Sequence, residues 1–289
     1  MKQESVGSML PPEASHIGKV LLEMGKLTPQ QAEHVLDVHR EEGLRFGEAA
    51  IKLGYVAEPD LRHALARQFS YSYLAANDMS LGRELIAAYQ PFSPAVEALR
   101  SLRSQLVLRW IAQGHKTIGL AGYDSGVPTG TFAANLAIVF SQLGERTLLI
   151  DANLRQPTLH DLFRLDNRQG LSDLLAGRCG DECITAIEAL EGLSLLPAGT
   201  LPPNPQELLS RANFPALLQR VVEHYDVVIV NTPPATDAAD QQLIAARVRG
   251  MLLVTERHRS RLRELAQLRQ QLEATGARVI GAVLNEGSR

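Results

Sequence analysis

Apolar positions along the chain change their period near residue 90. Between His16 and Tyr73 they recur at helical spacing, in short stretches ended by glycine. From about residue 95 onward, brief unbroken apolar runs alternate with helical stretches. The runs are "KTIGLAG", "RTLLID", "LSLLPAG", "YDVVIVN", "GMLLVTE" and "ARVIGAVLN". Runs without polar alternation predict strands covered on both faces. Among the stretches between them, "TFAANLAIVFSQLG", "NFPALLQRVVEHY" and "RSRLRELAQLRQQLEATG" read as helices. Strands alternating with helices predict an α/β fold built on a doubly wound parallel sheet. Ligands bind such sheets beyond the carboxyl ends of the strands. That rule directs attention to residues 122–131, 151–155 and 231–234, and to Asn285.

The amino-terminal part is an internal repeat. "HIGKVLLEMGKLTPQQAEHVL" from His16 aligns with "RFGEAAIKLGYVAEPDLRHAL" from Arg45, so that Gly18 matches Gly47 and Gly25 matches Gly54. Each unit reads as a helix, a glycine stop and a second helix. Gly25 and Gly54 stand where a left-handed cap ends a helix. Thr28 followed by Pro29 is an N-cap with proline at the first helical position. The expected organisation is a flexible tail over 1–15, a small helical domain over 16–74, a linker over 75–93 around Pro91, and the sheet domain over 94–289.

Bulk properties narrow the function classes. The chain has 289 residues, 45% hydrophobic and 21% charged, with a net charge of −3. Such a charge gives no general attraction to a nucleic-acid polymer or to anionic lipid. The first residues lack the apolar stretch of a signal peptide, and no apolar run approaches membrane-spanning length. Cys179 and Cys183 have no partner cluster for a metal, so free thiols in a cytoplasmic protein are expected. Five lysines occur, the last at Lys116. No lysine beyond it is available to neutralise a phosphate.

The repeat resembles the N-terminal domain of type II secretion and pilus ATPases. Some members of that family bind cyclic di-GMP, and the second unit carries the matching positions Arg45, Gly47 and Gln68. A helical module that docks protein through structural glycines is the other reading.

The sheet domain resembles the bacterial tyrosine kinases of capsule and exopolysaccharide synthesis (BY-kinases), and within them the EpsG-type chain-length determinant kinases. "SPAVEALRSLRSQL" holds the family's Glu-x-x-Arg-x-x-Arg pattern at Glu97, Arg100 and Arg103. "LLIDANLRQPTLHDLF", "GLSDLL", "LPAGTLPPNPQELL", "YDVVIVNTPPATDAAD" and "VIGAVLNE" carry the rest. The resemblance implies a P-loop nucleotide domain using ATP or ADP with magnesium. It also implies homo-oligomerisation through Glu97, Arg100 and Arg103, and a membrane chain-length determinant (Wzz-like) as partner. That partner would hold the chain peripherally at the inner membrane. An ion-pair face internal to one helix is the alternative for those three residues.

The phosphate loop itself departs from the family. A P-loop uses backbone amides, a lysine on the β/γ-phosphates and a Ser/Thr hydroxyl on magnesium. The family reads Pro-Gly-Glu-Gly-Lys-Ser-Thr before "AANLA". Here the same stretch runs Ser125, Gly126, Val127, Pro128, Thr129, Gly130, Thr131. Gly126 and Thr131 match. Thr129 replaces the lysine and Gly130 the metal-binding hydroxyl, unless a register shift gives that role to Thr131. Pro128 lacks an amide donor. The two aspartates of the second Walker segment are Asp151 and Asn153, and the Walker B aspartate is Asn231. Asn keeps an oxygen but loses the charge that magnesium favours. Arg155 is the leading substitute for the lost cation. Asn285 resembles an adenine-contacting Asn, with a strand-end hydrogen bond as alternative. Asp240 resembles an acidic residue near Walker B, with a helix cap as alternative.

Two outcomes of the resemblance therefore compete. One is a pseudokinase or scaffold with impaired ATP chemistry. The other is an active tyrosine autokinase with an unusual loop. The family's usual carboxy-terminal tyrosine cluster is missing, the last tyrosine being Tyr225. Tyr55, Tyr71 and Tyr73 remain as substrates or packing residues. A module responding to cyclic di-GMP is a third possibility.

Overall fold

The computed structural model describes residues 16–68, 73–75, 77–236 and 239–286. The expected tail over 1–15 lies outside the described residues, as does Tyr71. The chain divides into two compact units, Met1–Ser72 and Tyr73–Arg289.

The first unit contains α1 (His16–Glu23), α2 (Pro29–Glu42), α3 (Phe46–Lys52) and α4 (Glu58–Gln68). Thr28 and Gln31 form a reciprocal capping box at the start of α2, with Pro29 at the first helical position. Gly25 and Gly54 take φ of 66° and 69°, as the repeat predicts. Leu21, Leu27, Val35, Phe46 and Val56 form the buried core. Gly18 and Gly47 have a packing role. A Cβ on Gly47 would come within 2.6 Å of Leu61, and one on Gly18 within 3.0 Å of Phe46.

The second unit is a seven-stranded sheet in the order β3-β4-β2-β5-β1-β6-β7. Its strands are β1 (Thr117–Ala121), β2 (Thr147–Asp151), β3 (Thr185–Ala186), β4 (Leu193–Leu196), β5 (Val227–Asn231), β6 (Gly250–Glu256) and β7 (Arg278–Asn285). All pairings are parallel except β3 with β4. Alternate residues face opposite layers. Leu149 and Ile229 join the core containing α6 (Pro94–Arg109) and α7 (Thr129–Ser141). Leu148, Ile150, Val228 and Val230 join the core on the other face, with Phe214, Leu217, Ile244 and Leu268. That layer holds α11 (Asn213–His224), α12 (Asp240–Val248) and α13 (Leu262–Ala274), and the second unit also has the short helices α5 (Ile86–Tyr89), α8 (Leu159–Leu162), α9 (Leu171–Leu175) and α10 (Pro205–Ser210). The doubly wound α/β sheet follows from the buried apolar runs.

Two expectations change. The segment expected as a linker over 75–93 is folded into the second unit. Leu81, Leu85, Ala87 and Ala88 are buried in its core. Asn135 of α7 accepts from Ala87 N at 2.8 Å and donates to Glu84 O at 2.9 Å. The prolines interrupt no element there: Pro91 follows the short helix Ile86–Tyr89, and Pro94 opens α6 behind the N-cap Ser93. The expected free thiols are joined as a Cys179–Cys183 disulfide. A 3-10 turn over Asp181–Cys183 brings their Cα atoms to 6.6 Å, within disulfide reach.

Candidate functional site

β1, β2, β5 and β6 end side by side, so the segments after them form one surface. The segment after β1 is the candidate phosphate loop. Asp124 Oδ1 accepts from Gly126 N at 2.8 Å, and Thr129 N donates to Val127 O at 2.7 Å. The backbone N–H groups of Gly126, Val127 and Thr129 are thus engaged within the loop. Thr129 is buried and turned back toward Gly122, where a Cβ would come within 2.6 Å of its hydroxyl oxygen. Gly130 opens the first turn of α7 toward Thr158, whose Oγ1 lies 2.8 Å from where a Cβ on Gly130 would stand. A serine there would compete with that hydroxyl. Thr131 is half-buried in the same turn, and its carbonyl accepts from Asn135 at 2.9 Å.

Asp151 and Asn231 are the last residues of neighbouring strands in direct register. Asn231 Nδ2 donates to Asp151 Oδ1 at 3.0 Å. Asn153 N reaches the same oxygen at 3.2 Å. Asp151 Oδ2 accepts from Thr158 N and Leu159 N at 3.3 and 3.2 Å. Burial pushes the Asp151 carboxyl above the ordinary carboxylate range, against these four hydrogen bonds, which hold it down. Asn231 Oδ1 is buried without a hydrogen-bond partner among the described residues. Asn153 turns instead to the loop after β2, donating to Gln156 O at 2.8 Å.

These residues do not fit magnesium as they are arranged. The ion needs several oxygen ligands and favours carboxylate charge. Here the single carboxylate is buried beneath four donors, its neighbour presents an amide, and Gly130 offers no hydroxyl. Among the described residues no cluster of three or more His, Cys, Asp or Glu could hold a metal.

Arg155 is anchored elsewhere than the loop. Its guanidinium makes a two-pronged pair with Asp240 at 2.8 and 3.1 Å, and Asp240 is 1% exposed. Asp240 is the first residue of α12, whose N-cap is Ala239 with no side-chain capping bond, so the capping alternative does not hold and the carboxylate serves Arg155. A cation that the sequence does not nominate stands at the loop. Arg259, after β6, lies over Gly126, where a Cβ would fall within 2.0 Å of three guanidinium atoms. Arg259 Nε is 3.5 Å from Asp124 Oδ1. Asn285 supports this turn through its backbone: its carbonyl accepts from Arg257 N at 2.8 Å.

The remaining candidates are dispersed. Arg100 pairs with Glu97 at 3.1 Å along α6, and Arg103 donates to Val139 O of α7 at 2.6 Å. Arg45 is exposed and precedes α3, where its backbone N donates to Glu48. Gly47 is buried against Leu61. The Gln68 side chain lies outside the described residues.

The motifs "GLSDLL" and "LPAGT" are knitted together on the carboxyl-end side of β4. Leu171 N and Ser172 N donate to Pro197 O and Ala198 O, and Asp173 Oδ2 accepts from Gly170 N and Thr200 N. A Cβ on Gly170 would meet Pro197 O at 2.2 Å.

Comparison with known proteins bears on this arrangement. The family model described as cellulose biosynthesis protein BcsQ matches residues 115–276. A putative tyrosine-protein kinase EpsB of Ralstonia solanacearum is 39% identical over 204 residues, 71% of this chain but only 27% of that protein. The chain thus spans about a quarter of that relative's length. The shorter putative tyrosine-protein kinase CapB of Staphylococcus aureus is 31% identical over 68% of this chain and 86% of its own length. Among solved structures, the kinase domain of Escherichia coli tyrosine kinase ETK superposes with a TM-score of 0.67 at 33% identity, covering 70% of this chain and 79% of that one. The 31% identity to CapB across 86% of that protein makes this chain a member of the bacterial tyrosine-kinase (BY-kinase) family, and the superposition on the ETK kinase domain places it within the P-loop fold.

Proposed function

We propose that this chain regulates exopolysaccharide synthesis as an assembly component, with its Mg-ATP chemistry impaired. The observation that carries the reading is the Asn231–Asp151 hydrogen bond. It uses the surviving carboxylate internally, where a kinase needs free acid groups to hold a metal and accept a proton. Thr129 and Gly130 at the loop point the same way. The output is then a change of assembly state rather than phosphoryl transfer, delivered to a membrane chain-length determinant on the cytoplasmic face. Homo-oligomerisation through α6 would use exposed Glu97 and its neighbours.

The test is to incubate the purified chain with radiolabelled ATP and magnesium, alone and with the chain-length determinant. Phosphotyrosine is then sought by mass spectrometry. The expected result is no signal above that of Asp151→Ala. Phosphotyrosine that Asp151→Ala abolishes would restore the autokinase reading.

A further inference from the structure

We propose that Arg259 replaces the missing lysine as the phosphate-binding cation of this loop, and that Asp124 holds it in reserve. The inference deepens the reading of residues 122–131 as a phosphate site and rests on it.

Topology brings the two segments together. β6 lies beside β1 in parallel, so the turn after β6 stands next to the loop after β1. That turn is braced by several bonds. Ser260 N and Arg259 N donate to Glu256 O at 3.0 and 3.3 Å, and Glu256 N donates to Ser260 Oγ at 3.0 Å. His258 takes φ of 64°, a left-handed conformation that turns the chain back. The Arg259 guanidinium then lies on the bare face of Gly126, a place that any side chain at 126 would fill.

The Asp124 carboxylate shows what this pair of groups recognises. It takes the Gly126 amide at 2.8 Å and faces Arg259 at 3.5 Å. An amide and a guanidinium converging on one carboxylate are also suited to phosphate oxygens. Arg259 is half-exposed, so a di- or triphosphate can approach it from solvent and displace Asp124. Asp124 therefore competes with the ligand for both donors. Arg259 offers the phosphates one fixed positive charge and a planar set of donors that do not depend on a metal.

Calorimetry with ADP and with inorganic pyrophosphate, in EDTA, on the full chain tests this. Wild type is expected to bind ADP, Arg259→Ala at least tenfold more weakly, and Arg259→Lys within a few-fold of wild type. Asp124→Asn removes the competing charge and should bind several-fold more tightly. Pyrophosphate binding that follows the same order assigns the phosphates as the recognised part. Thermal unfolding of Arg259→Ala should match wild type, since the side chain is at the surface. Equal ADP affinity in wild type and Arg259→Ala, or no binding by Asp124→Asn, overturns the proposal. Omitting magnesium and turnover separates this outcome from the kinase assay: a chain that does not phosphorylate and whose Arg259 is unimportant sinks only the present inference, whereas phosphotyrosine in the kinase assay sinks the proposed function.

Discussion

The carboxamide of Asn231 donates to the carboxylate of Asp151 across 3.0 Å, at the ends of two strands in register. With aspartate at both places, two acids would face each other and call for a cation or a shared proton. Here the amide satisfies the acid without either.

Restoring the acid should therefore destabilise the fold. In Asn231→Asp two carboxyl groups share the space, and like charges about 3 Å apart cannot both ionise. The folded state then retains a proton at a pH where the unfolded chain has lost it. Stability consequently falls as pH rises above the ordinary carboxylate range. The expected loss is about 1–3 kcal/mol at pH 7, read by urea unfolding at pH 5 and 7. Millimolar magnesium should recover part of it in the variant and none in wild type.

Arg155→Ala should cost stability rather than nucleotide affinity. It leaves Asp240, 1% exposed, without its two-pronged partner. Breaking a buried pair from one side costs about 3–5 kcal/mol, reduced here because Arg155 is itself partly exposed. Chemical denaturation should show a loss of about 2–3 kcal/mol. An unchanged midpoint together with weaker ADP binding would move the substitute cation back to Arg155.

Gly170→Ala should be among the most damaging small substitutions. The added methyl would meet the backbone oxygen of Pro197 at 2.2 Å, and backbone cannot swing aside like a side chain. Overpacking of this kind costs about 1–3 kcal/mol or more. A matched Gly276→Ala, where nothing lies within 4 Å but φ is 83°, separates steric overlap from backbone strain. Differential scanning fluorimetry should show the larger loss at Gly170.

The pair between Arg146 and Asp226 gives a pH signature. The Arg146 hydrogen bond lowers the Asp226 carboxyl to about 2, below the ordinary value of about 3.9. A lowered acid contributes stability that is complete above the unfolded value and is lost as pH falls toward the folded one. The pair is partly exposed, so its contribution should stay within about 1 kcal/mol. Asp226→Asn should unfold more readily than wild type at pH 7, with the difference shrinking between pH 4 and pH 2.

Much of the fold is legible in the sequence because buried parallel strands have to be unbroken apolar runs. β2 and β5 announce themselves that way. β3 does not: Thr185 and Ala186 are both exposed, so no apolar run marks them. The segment over 75–93 is not marked either, because its helix, Ile86–Tyr89, is four residues long and Pro91 and Pro94 follow it closely. The altered loop is equally plain in one dimension, since Thr129, Gly130 and Asn231 stand where lysine, hydroxyl and acid are expected. Arg259 is not visible that way. It lies more than a hundred residues beyond Gly126, and only the placement of β6 against β1 brings them together.

Central to the proposed function is a site with no use for magnesium. Calorimetry of ADP on the wild-type chain, with and without millimolar magnesium, tests it most directly. The two affinities are expected to agree within about twofold, under about 0.5 kcal/mol. Tightening by tenfold or more with magnesium, about 1.4 kcal/mol, would contradict it and return the carboxylate of Asp151 to metal-assisted chemistry.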